Sequence, residues 1–217
     1  MRLRYEKLAK NIYHLILPSQ GQLAKTFLRF QEHFESPKFQ KKIFSLDEYK
    51  KWYIANSAKG KKTGKFTYYR DWGGFNIPSK ILEPFYKGKF NPLSKEEKML
   101  LRLFKNKRKK KFYIIATFKN SSRHFFKHEI AHGLFYTDLK YKKEVIKILK
   151  KCDKNIIKNI NHHFFKSASY HKKVWFDETH AHIMADLNLL KRYGINSYKL
   201  LEINKELNKI FNKYYKI

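Results

Sequence analysis

The chain carries two histidines four residues apart, with a glutamate directly after the first, in the stretch FKHEIAHGLFY of residues 126–136. On a helix, residues four apart lie on one face, so His128 and His132 can offer two imidazoles to one metal ion. Glu129 lies about 100° around the same helix, where it can face the ion without ligating it. Zinc lowers the pKa of a coordinated water to about 7, and a neighbouring carboxylate can accept its proton as the water attacks a carbonyl. The spacing therefore predicts a zinc site with Glu129 as general base.

The histidines are unevenly distributed. Eight of the ten lie between positions 124 and 182. The alternative to a metal site is that His128 and His132 are ordinary histidines on a packed amphipathic helix. Burying two imidazoles and a carboxylate without partners would be costly, so a metal ion that satisfies them is the favoured explanation. His124, one turn earlier, extends the same face, either as an exposed helix-end residue or as a group that contacts substrate or a ligand.

A catalytic zinc ion needs a third protein ligand. Glu178, in the stretch FDETHAHIMAD on a later predicted helix, is the preferred candidate. Asp138 lies where the third ligand of the extended motif HExxHxxGxxH would fall, although Phe135 replaces the glycine of that motif. The other candidates are all histidines: His162, His163 and His180.

HEIAH together with FDETHAHIMAD resembles zinc metallopeptidases of the gluzincin type, in which a glutamate from a downstream helix completes the HExxH site. The second stretch is also similar to the glutamate-bearing helix of ImmA/IrrE-like peptidases, in which small residues follow the ligand. The resemblance covers residues 112–189. It implies that His128, His132 and Glu178 bind zinc.

The sequence departs from thermolysin-like gluzincins at His182, where those enzymes tend to have an aspartate that hydrogen-bonds a zinc histidine. Either Asp186 or Asp177 takes that role, or His182 faces the substrate and stabilises the oxyanion as a second catalytic residue. A fainter likeness of HEIAHGLF and NHHFF to SprT-like proteases would instead make His162 or His163 the third ligand.

A helix-rich α+β fold is predicted: a zincin-like domain with a small β-sheet, HExxH on one helix and a third ligand on a later helix. FYIIAT, residues 112–117, is a predicted strand directly before the HExxH helix. In zincins such a strand commonly forms the sheet edge that binds an extended peptide. FTYYRDW, residues 66–72, is a second predicted strand, and the following GGFNIPSKILEPF is a predicted loop with a short helix.

Helix starts are predicted from capping signals. Ser45 with Glu48, and Ser94 with Glu97, fit the capping box, so helices should begin near residues 46 and 95. After the HExxH helix, the apolar periodicity predicts helices over three further stretches: 139–151, 174–192 and 197–214. The aromatic cluster of the first half is expected to be core rather than a base-stacking or substrate-binding groove: Trp52, Tyr53, Tyr68, Tyr69, Trp72 and Phe75.

The sharpest change of composition is KNKRKKK, residues 105–111, with six positive charges in seven residues. It predicts an exposed basic loop. Before it lies an N-terminal α+β region of unknown role at 1–104, and after it a zincin-like metal-binding region at 112–217. The two regions are either separate or parts of one continuous fold.

The formal charge of +31 raises the question of a nucleic-acid partner, because clustered cations release counterions from a phosphate backbone. Of the 49 basic residues, 41 are lysine and eight are arginine. Asn, Ile, Phe and Tyr are abundant too, and all of these types have AT-rich codons. Codon bias therefore explains much of the charge, while nucleic acid stays an alternative partner.

The compartment is predicted from absences in the sequence. Cys152 is the only cysteine, so an intrachain disulfide is excluded and a reducing compartment fits. No apolar run has the length of a membrane span, and the N-terminus makes a poor signal peptide. We expect a cytoplasmic protein.

These observations predict a zinc-dependent metallopeptidase that hydrolyses a protein or peptide. One alternative is a nucleic-acid-associated protein, either an SprT-like protease that acts on DNA-bound proteins or a basic binding module with structural zinc. Another is a zinc hydrolase of non-peptide amides or esters, because HExxH does not define the acyl group under attack.

Overall fold

The protein is described by a computed structural model that covers residues 4–119, 121, 126–168 and 175–215, with the backbone alone at 161, 163–168 and 175. His124 lies outside the described residues, and so does the side chain of His163. The fold is α+β, with helices predominating and a four-stranded mixed sheet, which confirms the predicted class. Its zincin-like character stays a prediction.

The four strands are β1 (Tyr5–Ala9), β2 (Ile12–Leu17), β3 (Gly74–Pro78) and β4 (Tyr113–Phe118). The helices of the described residues that precede β4 are α1 (Gln20–Glu35), α2 (Leu46–Asn56), α3 (Ala58–Thr63), α4 (Glu83–Tyr86) and α5 (Lys95–Phe104). Those that follow it are α6 (Phe126–Thr137), α7 (Leu139–Leu149), α8 (Lys154–Ala168), α9 (Trp175–Ala185), α10 (Leu187–Arg192) and α11 (Leu201–Tyr214).

The sheet has the strand order β1-β2-β4-β3, and β3 pairs with β4 in antiparallel register, with Phe75 opposite Ala116. FYIIAT is therefore a strand, as predicted. The expectation that it forms a sheet edge is wrong, because β4 lies between β2 and β3. The first five residues of β4 are buried, and such a continuous apolar run suits an interior strand.

FTYYRDW is not a strand. It contains a 3-10 turn at Tyr68–Arg70, and the strand of this region is β3 instead. The aromatic residues serve as core: the buried Tyr68 ring packs edge-on against Tyr53, and its hydroxyl donates to Glu32 Oε1 at 2.8 Å. Trp72 is an exception to the core interpretation, because half of it is exposed.

Both predicted helix starts are confirmed. Ser45 caps α2, its side chain accepting from the Glu48 amide, and Ser94 caps α5 with a complete capping box. Glu97 of that box also forms a buried ion pair with Arg29 of α1, at 2.5 Å between Arg29 Nη2 and Glu97 Oε2. A residue that caps one helix therefore also fixes a second helix beside it.

The basic run 105–111 is largely exposed, as predicted, but two of its residues have structural contacts. The Lys107 ammonium lies over the Tyr13 ring, 4.9 Å from its centroid. Arg108 donates to both carboxylate oxygens of Glu83 and lies over the Tyr86 ring. Part of this charge therefore holds the loop in place.

Contacts group the chain into two compact units. One comprises Met1–Glu6 and Tyr13–Ser122, and the other comprises Lys7–Ile12 and Arg123–Ile217. The division of the sequence at 105–111 stays a prediction about domains. Within the described residues, no helix combines the length and apolar character that crossing a bilayer requires.

In the second unit, α9 packs against α6, α7 and α11. Gly133 follows the second histidine of HExxH, and packing requires a small residue at this position. A Cβ on Gly133 would lie 2.7 Å from Cδ1 of Ile12. Ile12 itself is fully buried. The glycine thus allows the HExxH helix to approach this side chain closely.

Candidate metal centre

Two helices supply the candidate ligands. His128 and His132 lie one turn apart on α6, and Glu178 and His182 lie one turn apart on α9. Because α6 and α9 pack against each other, the two pairs face one another. The later helix predicted over 174–192 is in fact two helices, since α9 ends at Ala185 and α10 begins at Leu187.

The predicted ligand atoms converge. His128 Nε2 lies 3.0 Å from His132 Nε2, and Glu178 Oε2 lies 3.6 Å from His132 Nε2 and 3.9 Å from His128 Nε2. With zinc–ligand bonds of about 2.0–2.1 Å, the ligand atoms of a tetrahedral site lie about 3.3 Å apart. Adjustments of a few tenths of an ångström would therefore let these three atoms share one zinc ion.

The far nitrogens of both imidazoles are held by carboxylates. His128 Nδ1 donates to Asp186 Oδ2 at 3.0 Å, and His132 Nδ1 donates to Asp177 Oδ1 at 2.8 Å. A proton on each Nδ1 leaves a lone pair on each Nε2 of a neutral ring. Two such lone pairs 3.0 Å apart repel unless a proton or a metal cation lies on them. The donor set, with its outer carboxylates, is the one that zinc centres use.

Asp177 and Asp186 each make the hydrogen bond to a histidine of HExxH that the sequence analysis expected of one or the other. Asp177 lies in the first turn of α9, and Asp186 lies at the break between α9 and α10, where its amide donates to the His182 carbonyl at 2.8 Å. A carboxylate is favoured in the first turn of a helix by the helix dipole. The break at Asp186 is the feature that the apolar periodicity missed.

The electrostatics favour a neutral His132 and an ionised Asp186, the forms that a metal centre needs. Burial, together with the neighbouring His128, lowers the pKa of His132 to about 3, so this ring is neutral at physiological pH. Burial opposes ionisation of Asp186, but its hydrogen bond with His128 and the nearby His182 imidazole outweigh burial and hold its pKa well below the usual range. Burial raises the pKa of Asp177 to about 7, against the opposing charges of His180 and His128. A metal ion on His132 would favour the ionised form of Asp177.

Glu129, the predicted general base, has one carboxylate oxygen that is buried. Among the residues that the structure describes, none donates to its Oε2. The charge of this carboxylate opposes the effect of burial, which lowers the pKa of His132, and acts together with the stronger effect of the Asp186 hydrogen bond to raise the pKa of His128. A buried carboxylate oxygen without a donor is costly unless water or a ligand supplies one.

His182, predicted as catalytic, also faces this cluster. Its Nε2 lies 3.8 Å from Glu178 Oε2, and its ring centroid lies 4.6 Å from that of His128. His128, Glu178 and His182 can each place one ligand atom within 4.8 Å of the other two. The arrangement therefore brings together the four predicted residues His128, His132, Glu178 and His182.

The other candidate ligands have different surroundings. Asp138 caps α7, its Oδ1 accepting from the amides of Lys140 and Tyr141. The buried His180 ring stacks on Phe135, and its centroid lies 6.2 Å from that of His132. His162 lies on an exposed part of α8.

No protein-family model, no curated protein and no solved structure matches this chain.

Proposed function

We propose that this protein is a zinc-dependent hydrolase whose substrate is a protein or peptide. His128, His132 and Glu178 hold the ion, and Glu129 is the general base. The observation that carries the proposal is the convergence of three ligand atoms whose two imidazoles are each held from behind by a carboxylate. An ordinary pair of helix histidines has no need of that arrangement.

A bound zinc ion would supply Lewis acidity, which polarises a carbonyl group and makes water a better nucleophile. Glu129 accepts the proton of the attacking water at Oε2, the oxygen that has no donor among the described residues. The same carboxyl group then returns the proton to the leaving amine. Asp177 and Asp186 orient the two imidazoles.

The peptide assignment has its support in the sequence. The pairing of HEIAH with a glutamate on a downstream helix resembles gluzincin peptidases, and the contact between α6 and α9 agrees with that pairing. The HExxH arrangement serves any acyl group that can accept water. Amides and esters outside proteins therefore belong in the substrate screen.

The first experiment measures metal content by elemental mass spectrometry on the full chain, purified without added metal and then offered zinc. We expect one zinc per chain in the wild type and in Glu129→Gln, and loss of zinc in Glu178→Ala. His162→Ala is the matched control, because it removes an exposed histidine that was itself a candidate ligand. A wild type that binds no zinc would refute the metal site.

The second experiment measures hydrolysis of labelled casein and of a mixed peptide library, with a panel of simple amides and esters beside them. Glu129→Gln should lose about a hundredfold or more in rate while it keeps zinc, because general-base catalysis is typically worth that much. Undiminished hydrolysis by the zinc-loaded glutamine variant would refute the assigned role of Glu129.

A further inference from the structure

We infer that His182 is a fourth protein ligand of the metal ion, so that the resting centre consists of three imidazoles and one carboxylate. This inference rests on the metal site of the proposed function. It replaces the sequence-based expectation that His182 stabilises an oxyanion. It also gives the site a way to exclude substrates that bind weakly.

The first argument is helical geometry. Glu178 and His182 are four residues apart on α9, just as His128 and His132 are four apart on α6. Each helix therefore carries two possible metal ligands on one face. The distance of 3.8 Å between His182 Nε2 and Glu178 Oε2 is comparable to the 3.6 Å and 3.9 Å that separate this oxygen from the other two imidazoles. Glu178 Oε2 is therefore similarly close to the Nε2 atoms of all three imidazoles.

The second argument is the outer carboxylate. Asp186 Oδ2 accepts from His128 Nδ1 at 3.0 Å and lies 3.6 Å from His182 Nδ1. One carboxylate thus faces the far nitrogens of both rings, while the near nitrogens of both rings face Glu178. A carboxylate behind the ring is the usual setting of a metal-ligating histidine.

The third argument separates the two roles of His182. Its Nδ1 faces a carboxylate, which can only accept, so the proton of a neutral ring belongs on Nδ1 and the lone pair on Nε2. A lone pair can bind a metal ion but cannot donate to an oxyanion. The orientation of this ring therefore fits a ligand.

A consequence for regulation follows. A zinc ion with four protein ligands has no open position, whereas a catalytic site keeps one. The attacking water or the substrate must then either add a fifth ligand or displace His182. The centre would therefore react only with a substrate whose binding energy is sufficient to displace His182 or to add a fifth ligand.

The test counts the imidazoles on the metal. In the full chain loaded with cobalt(II), each coordinated imidazole contributes one exchangeable N–H proton resonance, from its Nδ1, that is strongly shifted by the paramagnetic ion. We expect three such resonances in the wild type, two in His182→Ala, and three in the control His162→Ala. Acetohydroxamate, which needs open positions on the metal, should bind His182→Ala about tenfold or more tightly than it binds the wild type.

The outcomes separate this inference from the function on which it rests. Two shifted resonances in a wild type that binds cobalt would overturn the centre of three imidazoles without refuting the metal site. A wild type that binds no cobalt would refute the metal site itself, and the fourth ligand with it. Because the wild-type count decides the matter, a misfolded His182→Ala variant would not obscure the result.

Discussion

Asp186 offers the sharpest test of the metal centre, because it touches the predicted ligands without being one. Its Oδ2 accepts from His128 Nδ1 at 3.0 Å and lies 3.6 Å from His182 Nδ1. Replacing it with alanine removes the partner that fixes the proton of His128 on Nδ1. No predicted ligand is removed, but the His128 ring is freer to rotate and is a weaker base.

The magnitude follows from that single hydrogen bond. Loss of an outer carboxylate partner typically weakens metal binding about 10–100-fold, or about 1.4–2.7 kcal/mol. Asp186→Asn keeps an acceptor oxygen but lacks the charge, and a charge-assisted hydrogen bond is about twice as strong as a neutral one. We therefore expect the zinc affinity of Asp186→Asn to fall between those of the wild type and Asp186→Ala.

The assay is competition for zinc between the full chain and a chromogenic chelator, with far-ultraviolet circular dichroism to verify folding of each variant. Asp138→Asn is the control. Asp138 caps α7, and asparagine caps a helix about as well as aspartate, so this variant should bind zinc as the wild type does. A fall in its affinity would instead identify Asp138 as a ligand.

An affinity of folded Asp186→Ala within about twofold of the wild type would refute the reasoning, since that change is well below the range expected for an outer partner. It would mean that the His128–Asp186 hydrogen bond does not orient a ligand. A loss of all binding, comparable to that of Glu178→Ala, would indicate that Asp186 itself binds the ion.

Two further predictions concern the first unit and a pH effect. Arg29→Met should lower the free energy of unfolding by about 3–5 kcal/mol in urea denaturation, because it leaves the Glu97 carboxylate buried without its ion-pair partner. The double variant Arg29→Met with Glu97→Gln should recover part of that loss. Equal stability of the single variant and the wild type would contradict this prediction. Burial lowers the pKa of His33, whose Nδ1 donates to the Lys42 carbonyl at 2.9 Å. Below about pH 6.5 the unfolded chain therefore binds a proton at this position that the folded protein does not. The free energy of unfolding then falls as the pH falls, by up to about 1.4 kcal/mol per pH unit. The difference in unfolding free energy between wild type and His33→Gln should therefore narrow from about pH 7.5 to about pH 5.5, and a constant difference would show that His33 is not the group responsible.

The predictions that came true depend on local chemistry. A serine followed three residues later by glutamate satisfies the free amides of a helix start, whatever the rest of the chain does, so Ser45 and Ser94 marked the starts of α2 and α5. The strand in FYIIAT needs only a run of β-branched and aromatic residues. The one-turn spacing of His128 and His132 placed both on one face as soon as α6 formed.

The failed predictions concern segments whose structure depends on distant partners. FTYYRDW has the composition of a strand, but Tyr68 is buried among other rings and reaches Glu32 on α1, which requires a turn. The strand is Gly74–Pro78, in which Gly74, Asn76 and Pro78 have little intrinsic strand propensity, and it is held by pairing with β4. The α1 helix was not anticipated either, although Ser19 caps it.

The sequence by itself therefore determined the chemistry that is available: two imidazoles on one helix face, a carboxylate beside them, and a later helix with Glu178 and His182 one turn apart. Only the tertiary structure decided which groups meet. The contact between α6 and α9 brings Glu178 to both histidines, and the helix break at Asp186 sets one carboxylate behind His128 and facing His182. Helical periodicity is a property of each segment alone, whereas the positions of ligand atoms from two helices depend on packing, which no single segment encodes.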